Sequence, residues 1–179
     1  MLSSSIPSLT AIIEKELGNL NLIQLNWKAS PQQWSIGQCL DHLIVSNGKY
    51  LPLLKSIIEG KDKPSFWERN NPLSNYTGKQ MVKTLGKNVV KKFKSPRLFI
   101  PSENTINQNI ISDFKNQQAE FFLLFLELEK EKYFKKVITS PVASLITLKL
   151  HDLLELIITH EERHLNQALE VKNNFNFPN

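Results

Sequence analysis

The chain holds a single cysteine, Cys39, among 179 residues. One chain therefore has no internal disulfide and no cysteine-built zinc site. Cys39 falls within an apolar helical pattern, which fits a small buried hydrophobe better than a nucleophile. No apolar run approaches the roughly 20 residues that span a bilayer. The start, Met1 to Leu9, has neither a basic n-region nor a long apolar h-region, so no signal peptide is expected and the expected location is cytoplasmic. Internal repeats and low-complexity tracts are lacking. No segment alternates convincingly with a period of two, which points away from strands and toward an all-α fold.

Acidic residues are missing from one stretch. Residues 79–97 carry Lys79, Lys83, Lys87, Lys91, Lys92, Lys94 and Arg97 and no Asp or Glu. The formal net charge is +5, from 22 basic and 17 acidic residues. Without those seven the chain is slightly acidic, so the basic character belongs to one segment. Lys79, Lys83, Lys87 and Lys91 recur every four residues and form one stripe on a short helix expected over 78–92. Such a stripe suits an anionic partner. It lacks interleaved aromatics and any known nucleic-acid motif, so a solvated lysine face is the simpler explanation and nucleic acid is not the expected partner.

What is present is helical periodicity. At 41% hydrophobic and 22% charged residues, the composition is that of an ordinary globular domain. Four long segments repeat apolar residues at helical spacing. The first runs from about Pro7 to Trp27, and Pro31 prevents its continuation. The second opens on Ser35 and Gln38, a capping box, with Trp34 and Cys39 placed as its hydrophobic staple. Pro52 predicts a kink near residues 48 to 52, and Gly60 and Pro64 mark the end. The third runs from about Thr105 to Lys132. The fourth runs from near Thr147 to about Lys172. Together they predict one domain over 1–179, an antiparallel four-helix bundle with a long crossover between helices two and three that carries the short extra helix. Phe66, Trp67 and Tyr76 in that crossover are expected to anchor it to the bundle.

The histidines carry the chemistry. His160 and His164 are four apart, one turn apart on one face, and sit on the inward line Leu153, Ile157, His160, His164, Ala168. Two buried imidazoles without partners would cost a few kcal/mol, so something should satisfy them. A divalent metal does so, with metal–nitrogen distances of about 2.0–2.1 Å. Plain hydrogen bonding is the competing explanation for such a pair. His42, on the edge of the apolar stripe of helix two, supplies a third ring able to converge with them. His151 lies about half a helical rotation from His160 and is expected in solvent. Gln38, four residues before His42, and Gln167, three after His164, are candidates to orient a ligand ring. His160-Glu161-Glu162-Arg163-His164 also fits H-E-x-x-H, in which Glu161 would be a general base. No third protease-type ligand follows, so Glu161 and Glu162 are expected on a solvated helix flank.

Two stretches together resemble a known family. Trp34-Ser35-Ile36-Gly37-Gln38-Cys39-Leu40-Asp41-His42-Leu43 and His160-Glu161-Glu162-Arg163-His164-Leu165-Asn166-Gln167 are similar to the two motifs of the DinB-like metal-binding proteins. The resemblance extends over nearly the whole chain in helix order. It implies a four-helix bundle, often dimeric, with a three-histidine site for zinc, nickel or iron and the remaining positions left to water. It also implies activities of the kind known in that superfamily, transfer of low-molecular-weight thiols such as bacillithiol and mycothiol-dependent isomerisation. The expected function is a metal-dependent enzyme acting on a small molecule, a thiol S-transferase with a thiol cosubstrate or a hydrolase. The alternative is a non-catalytic binding module that presents Lys79–Arg97 to an anionic partner.

Overall fold

The computed structural model describes residues 1–85, 105–133, 135–141 and 143–179. The chain is mostly helical, with one small two-stranded sheet. The elements are α1 (Ser5–Leu17), α2 (Leu22–Asn26), α3 (Ile36–Gly48), α4 (Leu51–Ile58), α5 (Phe66–Asn70), α6 (Ser74–Leu85), α7 (Ile110–Leu128), β1 (Val137–Ser140), β2 (Ala143–Lys149) and α8 (Leu150–Lys172). None of the helices among the described residues is long and apolar enough to cross a membrane.

The first predicted helix is broken in two. After Leu17 the chain turns, and Asn21 restarts it: its side chain accepts from the Gln24 N–H while the Gln24 side chain accepts from the Asn21 N–H. This Asn-x-x-Gln box repeats the logic of Ser35 and Gln38 and was readable in the sequence. The kink expected at residues 48 to 52 is a full break between α3 and α4. Pro52 falls in the first turn of α4, where its missing N–H loses no helical bond. The third predicted helix shortens to α7. Ile106 precedes it yet is buried, because Asn26 clamps that backbone: Oδ1 accepts from the Ile106 N–H at 2.6 Å and Nδ2 donates to the Ile106 carbonyl at 2.7 Å.

The all-α expectation is corrected by the β1–β2 hairpin. The strands are antiparallel, with Val137 opposite Lys149 and Thr139 opposite Thr147. The fourth helix therefore begins at Leu150 and not near Thr147. β-Branched Val137, Ile138, Thr139, Ile146 and Thr147 favour the extended form. The pattern escaped notice because β1 has only four residues, too few for alternation to stand out, and the register shifts between Thr139 and Ser140.

The crossover rests on this hairpin through polar groups. Asn71 Nδ2 donates to Thr147 Oγ1 at 2.9 Å, the Ser74 and Thr147 hydroxyls lie 2.8 Å apart, and Thr77 donates to the Thr147 carbonyl. The expected aromatic anchors do not serve: Phe66, Trp67 and Tyr76 are 75%, 56% and 63% exposed. The short helix predicted over 78–92 is α6, starting earlier at Ser74; residues 86–92 lie outside the described residues.

Packing follows the apolar stripes. α1 and α3 each lie against both α7 and α8, and α4 lies against α7. Ile13 and Leu17, Leu40 and Leu43, Phe114, Phe121 and Phe125, and Leu153, Ile157 and Ala168 are buried between them. Their spacing of three, four, seven and eleven puts each set on one helix face. α3 enters close to the backbone clamp, since a Cβ on Gly37 would lie 2.8 Å from Ile106 Cβ. Cys39 is fully enclosed, and desolvation pushes its thiol pKa up, so it offers no thiolate.

Candidate metal centre

The site is built from the start of α3 and the middle of α8. Ser35 Oγ accepts from the Gln38 N–H at 3.2 Å, and Gln38 Oε1 accepts from the Ser35 N–H at 3.3 Å. This box fixes where α3 begins and hence which face His42 occupies. His160 and His164, one turn apart on α8, meet it because α3 and α8 pack side by side.

A ring nitrogen from each of His42, His160 and His164 lies within 4.8 Å of the others. His42 Nε2 and His160 Nε2 are 3.2 Å apart, a span that two metal–nitrogen bonds of about 2.1 Å can bridge. The ring centroids are separated by 5.1 Å for His42–His160, 4.5 Å for His42–His164 and 4.6 Å for His160–His164. His42 and His164 are buried and His160 is half-buried; His151 is exposed and outside the cluster.

Burial holds two of these rings, His160 and His164, neutral. Desolvation is the main cause of the depressed pKa of His160, reinforced by His164, His42 and Arg163. Desolvation also lowers His164, to about 3, with His42 and Arg163 adding and the Gln167 hydrogen bond opposing. Neutral imidazole is the form that ligates a metal. The donor set thus fits a borderline divalent ion.

Residues 10–168 match the DinB superfamily. The chain belongs to that superfamily. It is also similar to the uncharacterized protein YuaE of Bacillus subtilis (strain 168), with 27% identity over 157 residues that cover 88% of each chain. No solved structure matches it.

Further groups shape the site of this DinB superfamily chain. His164 Nδ1 lies 3.0 Å from Gln167 Oε1. An amide oxygen only accepts, so this contact favours the tautomer with the His164 proton on Nδ1, which leaves Nε2 able to ligate. Gln38 has a different task, because its side-chain oxygen is engaged in the α3 cap. Trp34 belongs to the site as well. Its ring centroid is 4.8 Å from that of His42 and 5.6 Å from that of His164, nearly parallel to the latter. Sequence reasoning gave Trp34 only a stapling role. Its position one residue before the α3 cap, on the side that faces α8, was the missed signal.

The solvated-flank reading of Glu161 is overturned. Glu161 is 2% exposed, and its Oε1 accepts from Asn47 Nδ2 at 2.6 Å and Gln118 Nε2 at 2.7 Å. Desolvation raises its pKa from 4.5 to about 7 against the lowering effect of those two bonds. The carboxyl thus ties α8 to α3 and α7, with one oxygen held by two amides and the other enclosed. Glu162, its neighbour, is half-buried.

Of the basic stripe, Lys79 and Lys83 lie exposed on α6, while Lys87, Lys91, Lys92, Lys94 and Arg97 fall outside the described residues. Reversing both exposed charges, Lys79→Glu with Lys83→Glu, is expected to leave thermal stability within about 0.5 kcal/mol of wild type per site. Metal content should not change. A salt-sensitive affinity of wild type for anionic vesicles or duplex DNA that the double variant loses would favour the binding-module alternative.

Proposed function

We propose that this chain is a DinB-type metalloprotein in which His42, His160 and His164 hold one zinc, nickel or iron ion. The observation that carries this reading is the convergence of three histidine rings from two different helices, two of them, His160 and His164, kept neutral by burial. We read α1, α3 with α4, α7 and α8 as the four members of an antiparallel bundle forming a single domain over 1–179. The contacts of α1 and α3 with both α7 and α8 support that arrangement.

The chemistry proposed is that of a metal-dependent enzyme, a low-molecular-weight-thiol S-transferase or a hydrolase, acting on a small molecule in the cytoplasm as a homodimer. When bound, the ion supplies Lewis acidity and lowers the pKa of a thiol or water in an open coordination position. Three neutral ligands leave the ion's charge undiminished, which favours that effect. The protein's own part is positional. Gln167 fixes the His164 tautomer, and the α3 cap fixes the start of the helix that carries His42. Trp34 covers one side with an apolar ring that limits water around the histidines. The enclosed Cys39 offers no nucleophile, so a thiol has to arrive as cosubstrate.

Elemental analysis of protein purified without a metal-affinity tag tests the reading. About one ion per chain, removable by chelator, is expected. Absence of metal together with no uptake of zinc, nickel or iron would leave the three rings as a hydrogen-bonded core cluster. Gln167→Ala is expected to weaken metal affinity about 10–100-fold, as loss of a ligand-orienting partner generally does. Competition against a chromogenic chelator measures it. An unchanged affinity would show that packing alone orients His164.

A further inference from the structure

We infer that His151, Asp152 and Glu155 form a second divalent-cation site at the start of α8, independent of the three-histidine centre. A ring nitrogen of His151 and one carboxylate oxygen from each of Asp152 and Glu155 lie within 4.8 Å of one another. His151 and Glu155 are one turn apart on α8, so both reach the same point beside the helix. His151 is exposed, Glu155 half-buried and Asp152 buried, which leaves the site open to water on one side only.

The state of Asp152 is the independent sign of a ligand. It is 7% exposed, and its Oδ2 is enclosed with no hydrogen-bond partner among the described residues. A carboxylate oxygen taken out of water without a partner is unfavourable unless a counter-charge reaches it. Two other shielded acids differ: Glu161 receives two amide donors on one of its oxygens, and Asp62 is paired with Lys136. Asp152 Oδ2 has neither kind of support among the described residues. Its place in the first turn of α8 gives a favourable interaction with the helix dipole, but that is small beside the cost of enclosing an unpaired carboxylate.

The room for this carboxylate is made by α6. A Cβ built on Gly78 would lie 2.3 Å from Asp152 Oδ2, so only glycine at this position lets the two helices close over the group as they do. The fold therefore encloses a carboxylate oxygen to which none of the described residues supplies a proton donor. A cation between Asp152, Glu155 and His151 provides the missing counter-charge.

The donor set decides the kind of ion. One imidazole and two carboxylates match zinc, manganese and similar divalent ions, and two negative charges neutralise the ion within the site. That charge outweighs the roughly half positive charge at the helix N-terminus, which acts against a cation. The three-histidine centre is different in kind, because it leaves the ion's charge unbalanced. The two sites are also well separated, since nine residues of helix place His151 about 13 Å along α8 from His160 and on the opposite side. The second ion is a counter-ion for the contact of α6 with α8, with water completing its coordination.

Calorimetric titration of chelator-stripped protein with zinc tests this. Wild type is expected to take two equivalents, the second at least tenfold weaker. Glu155→Gln and His151→Ala should each lose the second equivalent and keep the first. His164→Ala should lose the first and keep the second. Both Glu155 and His151 are on the open side, so their variants should keep the wild-type circular dichroism, and the test does not depend on altering Asp152. A single equivalent in wild type, or a second equivalent that survives both Glu155→Gln and His151→Ala, overturns the proposal.

Discussion

Replacing His164 with Ala should abolish binding of the tight metal ion and with it most of the thermal stability that metal confers. The stabilisation arises by mass action. An ion that binds only the folded state stabilises it by about 2.7 kcal/mol when free metal is a hundredfold above the dissociation constant. For a domain of this size that corresponds to a rise in melting temperature of roughly 5–10 °C. His164 is 8% exposed, its Nδ1 is engaged by Gln167, and it offers one ring nitrogen to the cluster with His42 and His160. Alanine leaves two donors where three are needed and leaves the Gln167 oxygen without its proton. Replacing His151, on another side of α8, should keep the tight ion and its shift. The measurement is the melting temperature of wild type and both variants with one equivalent of zinc or nickel, and again with chelator. Equal shifts in wild type and the His164 variant would mean that the tight ion binds elsewhere.

The second large effect concerns pH and the buried carboxyl. In metal-free protein, Glu161→Gln should gain stability over wild type as pH rises from 4.5 to above 7. Glu161 has a folded-state pKa of about 7 against an ordinary 4.5, so the folded state binds its proton more tightly than the unfolded chain does. Its contribution is therefore fully present below 4.5 and is lost as pH rises through about 7. The difference of some 2.5 units amounts to about 3 kcal/mol. Glutamine resembles the protonated form. It keeps an oxygen for Asn47 and Gln118 and carries no charge into the space around Oε2, which has no partner among the described residues.

The histidines act in the opposite sense. The folded-state pKa of His164 is lowered to about 3 from 6.5, so its contribution is present above 6.5 and is lost as pH falls toward 3. That effect is common to wild type and Glu161→Gln and cancels in the comparison. Denaturant unfolding of chelated protein at pH 5 and pH 8 measures the difference. Parallel pH profiles in the two proteins would show that Glu161 titrates normally, with water satisfying its second oxygen. Glu161→Ala should be worse than Glu161→Gln at both pH values, because it strands the Asn47 and Gln118 amides in the core at about 1–3 kcal/mol each.

The sequence alone determined the features that rest on local rules. The Ser35–Gln38 box sets the start of α3 at Ile36 because two backbone groups and two side chains within four residues satisfy one another wherever that segment lies. Pro52 forces a break for an equally local reason. The spacing of His160 and His164 puts them on one face because every α-helix turns through about 100° per residue. Repeated apolar positions in α1, α3, α7 and α8 announced helices with one buried side.

Tertiary structure decided whatever depends on the neighbour of a residue. The β1–β2 hairpin forms because two short segments pair with each other, and neither shows the alternation alone. Phe66, Trp67 and Tyr76 have the composition of anchors, yet the crossover is held by Asn71, Ser74 and Thr77 on Thr147, a contact between residues some 70 apart. Glu161 is charged and flanked by Glu162 and Arg163, so its sequence context reads as surface. Only the approach of α3 and α7, with an amide on each, makes its burial tolerable. The convergence of His42 with His160, 118 residues further along the chain, was likewise a matter of helix packing. Helix periodicity fixes which way a side chain leaves its own helix, whereas what it meets there is set by the other helices.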